Sequence, residues 1–120
     1  MQEINDFLAE TAGDGPLAGL VRGSQEDCVA LVDIIDASYE RAARITAILF
    51  AGIAKKAGLG RGETLCIMAE GTAFEKSVLY VEKLNRCLDG LLRDDMGLHY
   101  EIFRADDVTL TGSAIAALML

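Results

Sequence analysis

A chain of 120 residues, 52% of them apolar and with a mean hydropathy of +0.29, is long enough for one domain with its own core and too short for two. Its net charge of −8 excludes a nucleic-acid-binding module, whose affinity comes from Lys and Arg neutralising phosphates, and no run of about 20 residues lacks charge, which excludes a membrane-spanning helix. Typical domains are about 45–50% apolar, so the surplus predicts surface that a partner covers: the rest of the same polypeptide, or a second copy.

Ile4, Phe7 and Leu8 recur at helical spacing and predict a short helix in residues 1–10, ended by Thr11-Ala12-Gly13-Asp14-Gly15-Pro16. Residues 17–23 read as a connector or a single helical turn. Ser24 can cap a helix whose first turn holds Glu26 and Asp27, both suited to the positive end of the helix dipole. The pattern continues for about 33 residues, until Lys55, Lys56 and Gly58 supply the signals of a helix end. Val29, Val32, Ile35, Tyr39, Ala42 and Ile45 mark its apolar stripe, with Asp33, Asp36 and Glu40 largely outside it. Residues 42–54 contain one charge, Arg44, which predicts that this half is buried nearly all round against a sheet.

Leu59-Gly60-Arg61-Gly62-Glu63 reads as a turn, since its two glycines lack the third glycine and the following helix of a phosphate loop. A strand follows at Thr64 to Ala69, whose consecutive apolar residues predict burial on both faces. Glu70-Gly71-Thr72 stops it, and Gly71 with Thr72 supplies a tight turn and a cap for the next helix. At the carboxyl end of such a strand a crevice can hold a polar or anionic ligand, although the same residues also serve as a turn and cap alone.

Phe74, Val78, Val81, Leu84, Leu88 and Leu91 predict one amphipathic helix over residues 73–92. Glu75, Glu82, Lys83, Arg86 and Asp89 populate its wet face, with Glu82 and Arg86 spaced to pair. Asp94-Asp95-Met96-Gly97 reads as a turn, and the alternation of residues 98–104 as a strand with Leu98, Tyr100 and Ile102 on one side. The intervening helix makes the two strands parallel, so the predicted fold class is α/β. His99, the lone histidine, reads as a solvent-edge strand residue. Cys28, Cys66 and Cys87, odd in number and without a CxxC pair, predict buried reduced thiols in a cytoplasmic chain.

Residues 105–113 repeat the earlier junction, with a strand end, small polar residues and then a helix predicted over 113–120. In a parallel sheet both junctions face one crevice, where a nucleotide is the commonest occupant. Glu70, Asp106 and Asp107 suit caps, ribose hydroxyls or a magnesium ion reached through water better than they suit phosphates. The two turns therefore belong to the nucleoside side of a ligand.

Three blocks resemble the hexokinase family, ATP-dependent sugar kinases of the actin-like ATPase superfamily. Glu40-Arg41-Ala42-Ala43-Arg44 resembles the family's Arg-Ala-Ala helix, and Ile67-Met68-Ala69-Glu70-Gly71-Thr72-Ala73-Phe74 resembles its adenosine motif. Asp107-Val108-Thr109-Leu110-Thr111-Gly112-Ser113-Ala114-Ile115-Ala116 resembles its last connecting motif. The resemblance implies the C-terminal segment of a large lobe with a ribonuclease H-like fold, residues 24–120, preceded by a helix and connector in residues 1–23. It implies a role in phosphorylating the 6-hydroxyl of a hexose such as glucose, with ATP and Mg2+ in the full-length enzyme. By position, Gly71, Thr72, Val108, Thr109 and Gly112 would line the adenosine wall. Many relatives read Gly-Ser-Gly where this chain reads Val108-Thr109-Leu110, a departure that alters backbone approach at Val108 and Leu110. The family's Asp-Gly-Gly-Thr phosphate loop, sugar-binding segment, general-base aspartate and second Gly-Thr-Gly loop have no counterpart, so the chain is expected to be inactive alone, with catalytic groups and magnesium ligands elsewhere. The alternative is a stand-alone, non-catalytic domain that dimerises through apolar surface.

Overall fold

Two short helices, α1 (Gln2–Ala9) and α2 (Pro16–Leu20), precede the dominant element, α3 (Gln25–Ala57). The structure, a computed structural model, describes residues 2–9, 15–60, 62–104 and 108–119. Phe7 and Ala18 are buried where α1 meets α2, and the Asn5 amide donates to the Lys76 carbonyl. No helix among the described residues is long and apolar enough to cross a membrane.

The bounds of α3 follow from its caps. Ser24 is extended and its Oγ accepts from the Asp27 N–H at 3.2 Å, while Gly58 takes φ 68° and donates its N–H to the Ala54 carbonyl. The buried side of α3 differs from the predicted stripe. Ala43, Ala47 and Ala54 are buried, whereas Val29, Ile45, Ile48, Leu49 and Ile53 are about half exposed or more. The reason is that α3 packs chiefly on α5 (Val78–Leu88) rather than on a sheet, and alanines let the bulky Leu84 and Leu88 approach.

Lys83 fastens the same interface. Predicted to face water, it is 6% exposed, with Nζ 2.9 Å from Asp36 Oδ1 and 3.2 Å from Glu40 Oε2. Glu40 Oε1 in turn pairs with Arg44 Nε at 2.8 Å. The hydrogen bond to Asp36, then that to Glu40, holds the Lys83 ammonium above its ordinary range, and Arg44 followed by Lys83 holds the Glu40 carboxyl below its own. Glu82 and Arg86 do not pair; that spacing is used instead by Glu40 with Arg44 and by Asp89 with Arg93.

The helix predicted over 73–92 is three segments. α4 (Thr72–Lys76) stops at Ser77, which is buried, extended at φ −108°, and caps α5 by accepting from the Tyr80 N–H at 3.3 Å. After Leu88 the chain widens into a π-helical segment, Asp89–Asp95, closed by Gly97 at φ 65° and a Leu98 N–H to Leu92 carbonyl bond of 2.8 Å.

β1 (Leu65–Ala69) and β2 (Tyr100–Arg104) form a two-stranded parallel sheet, with Leu65 opposite Tyr100 and Ala69 opposite Arg104. Ile67 and Tyr100 point into the core; Cys66, Met68, Glu101 and Phe103 are exposed. The expected burial of β1 on both faces is therefore corrected to burial on one, because the described helices cover a single side. The cysteines are corrected too: the uncovered sheet face leaves Cys66 exposed, Cys28 on α3 and Cys87 on α5 are half-buried, and all three are free. The core gathers Ala43, Ala47, Ile67, Leu84, Leu88, Leu92, Leu98 and Tyr100 between α3, α5, the π-helical segment and the sheet.

The last element, α6 (Val108–Leu118), begins five residues before the predicted Ser113. Nothing in residues 108–112 breaks a helix, since one interior glycine costs only about 1 kcal/mol. Every described side chain from Leu110 to Met119 is exposed.

Candidate functional site

The β1–α4 junction builds a groove of about 360 Å³. Gly71 caps α4 at φ 112°, a conformation L side chains rarely adopt, and its carbonyl accepts from the N–H groups of Phe74 (3.0 Å) and Glu75 (2.9 Å). The Glu75 carboxylate reaches back to the Gly71 N–H at 3.4 Å. No atom lies within 4 Å of the place a Gly71 Cβ would occupy, so the backbone conformation rather than crowding selects glycine here. Thr72, the first helical residue, stands beside it on the groove rim.

The floor comes from distant segments. Phe50, Ile67, Tyr80 and Leu84 make it apolar, and its polar feature is the pair Thr46 Oγ1 and Tyr80 Oη, 3.0 Å apart. Phe74 is buried at the side, with the Arg104 guanidinium 5.1 Å from its ring centroid. That contact ties α4 to the end of β2, whose Arg104 lies opposite Ala69 of β1, so the two strand ends emerge side by side. Glu70 adds an exposed acid to the rim. A groove of this volume lies at the low end of small-molecule sites.

Gly71 and Thr72 line this groove. Val108 and Thr109 open α6, and their side chains, like all of Asp106 and Asp107, lie outside the described residues. Gly112 is corrected from a turn to the interior of α6, where it is exposed and the place of a Cβ is open space to 4 Å, and no described residue of α6 lines the groove. Thr46 and Tyr80 were not singled out from the sequence. The available signal was weak: Thr46 is the only hydroxyl in the apolar run 45–54.

A second polar cluster lies where the π-helical segment meets β2. Tyr100 donates to Asp89 Oδ1 at 2.8 Å, Arg93 Nη1 sits 3.0 Å from the same oxygen, and the Arg93 guanidinium lies 4.7 Å from the Tyr100 ring centroid. Burial, and then the bond to Asp89, push the Tyr100 phenol up to about 12. These groups satisfy one another, which marks a structural joint. His99 is exposed as expected, but it precedes β2, which begins at Tyr100, rather than lying within the strand; its carbonyl accepts from the Leu65 N–H at 2.7 Å. Among the described residues no three His, Cys, Asp or Glu side chains are grouped to hold a metal ion.

No curated protein and no solved structure matches the chain. The family model described as hexokinase matches it over residues 1–119, a span that takes in α1 and α2 as well as the long helix, the parallel strands and the groove between them. With nearly every residue inside that match, the chain belongs to the hexokinase family.

Proposed function

We propose that the chain acts as the C-terminal part of a large, actin-like lobe in an ATP-dependent hexokinase, with residues 24–120 forming that segment and residues 1–23 a helical lead-in. Its contribution is part of the adenosine wall, centred on Gly71 and Thr72, with Val108, Thr109 and Gly112 approaching once the remaining lobes of the polypeptide are in place. The observation that carries this reading is the groove at the carboxyl end of β1, inside a family match and beside the carboxyl end of a parallel neighbour. The groove's size and apolar floor fit the base and ribose and leave the phosphates to other segments. ATP with Mg2+ and a hexose are the partners of the full enzyme, and the setting is cytoplasmic. Phosphoryl transfer rests on positioning the transferred group and stabilising its charge, for which this chain supplies no phosphate loop and no general base. The isolated chain is therefore inactive.

Chemical-shift titration tests the reading. Adenosine and ATP should bind about equally and weakly, at about 1 mM or above, since even 1 mM requires about 4 kcal/mol and little here grips phosphate. The shifts should centre on Gly71, Thr72, Thr46 and Tyr80. Shifts confined to other residues, or glucose-dependent ATP consumption by the chain alone, would refute it.

A further inference from the structure

We propose that the Thr46–Tyr80 hydroxyl pair on the groove floor reads the hydrogen-bonding edge of a purine base, and that it accepts 6-amino and 6-oxo purines alike. This rests on the groove being the nucleoside site and adds what selects its base. The pair is in place before any ligand arrives. Thr46 stands on α3 beside the buried Ala47, and Tyr80 on α5 is held by its N–H bond to Ser77 Oγ and by a ring contact with Tyr39, 6.3 Å between centroids. The two hydroxyl oxygens are 3.0 Å apart, and both residues line the groove.

Proton counting gives the chemistry. Each hydroxyl carries a proton and two lone pairs, and the bond between them consumes one proton and one lone pair. The pair is left with an O–H to donate on one oxygen and lone pairs free to accept on the other. Either hydroxyl can be the donor of the shared bond, so the order of donor and acceptor along the floor is reversible. Adenine presents an acceptor at N1 beside a donor at N6, whereas hypoxanthine presents a donor at N1 beside an acceptor at O6. Turning the pair round matches it to one or the other. The base rather than the sugar goes to the floor for a related reason. Phe50, Ile67 and Leu84 offer a flat ring apolar contact and no side-chain hydrogen bond, and a ribose buried among them would bring more hydroxyls than one pair can satisfy. At the rim, Glu70, Thr72 and solvent serve the sugar.

Chemical-shift titration of the 120-residue chain with adenosine, inosine and purine riboside tests this, alongside Thr46→Val and Tyr80→Phe, whose folding circular dichroism checks. Adenosine and inosine should bind within about twofold of each other, because the pair meets both edges with the same number of bonds. Purine riboside, which lacks the 6-substituent, should bind about three- to tenfold more weakly. Each substitution removes one hydroxyl and should weaken adenosine and inosine together, by about three- to tenfold. A preference of about tenfold or more between adenosine and inosine, or variants that bind adenosine as well as the unaltered chain does, would overturn the inference while shifts at Gly71 and Thr72 keep the groove as the nucleoside site. Titrations that move no groove residue would remove that site and the inference with it.

Discussion

At Gly71 the backbone, not a neighbour, sets the residue. Gly71→Ala places a Cβ at φ 112° and should cost about 1–3 kcal/mol by urea denaturation, with little change in packing because the space is open. Tyr100 gives a pH-dependent outcome. Its phenol is held near 12 in the fold against about 10 in the unfolded chain, so the neutral form is favoured by folding. Stability from this group is complete below pH 10 and is lost as pH rises toward 12, amounting to about 2–3 kcal/mol. Lys83, also raised, loses its contribution on the alkaline side, so the comparison with Tyr100→Phe isolates the phenol. The unaltered chain should lose more stability than Tyr100→Phe between pH 10 and 12. Glu40, lowered, contributes above the ordinary carboxylate range and loses that contribution as pH falls through its folded value; Glu40→Gln should flatten the acid limb of the same profile.

Among the elements, Ser77 is the informative break. Ser77→Ala removes the cap of α5 and leaves the Tyr80 N–H without its acceptor, which should cost about 1 kcal/mol in thermal or urea unfolding. Ala43→Leu should cost about 1–3 kcal/mol by overfilling the α3–α5 contact. These elements also show what a sequence can disclose. The bounds of α3 were readable because Ser24 and Gly58 act within one turn of their own positions, and the parallel pairing was readable from the helix that separates the strands. Ser77 was not, because the 3.6-residue apolar period runs through it without interruption. The buried side of α3 was misjudged for a related reason: the large aliphatics predict burial somewhere, but only the neighbour's shape decides that Ala43 and Ala47 turn inward. In the groove, Gly71 and Thr72 stood out where an apolar run stops, whereas Thr46 and Tyr80 meet across a sequence distance that no local pattern spans.

Taken whole, the molecule is thin and long, with extents of 56 × 39 × 17 Å and a radius of gyration of 18.3 Å against about 14 Å for a compact chain of this length. One layer of helices backs a two-stranded sheet, and parallel sheets are ordinarily covered on both faces. Cys66 turns that bareness into a chemical footprint. Projecting from the uncovered face of β1, its thiol should be alkylated faster than those of the half-buried Cys28 and Cys87, as mass spectrometry of a timed iodoacetamide reaction would record. A further lobe laid across the sheet would shield it. The rate of labelling at one sulfur atom thus tells whether that layer has arrived.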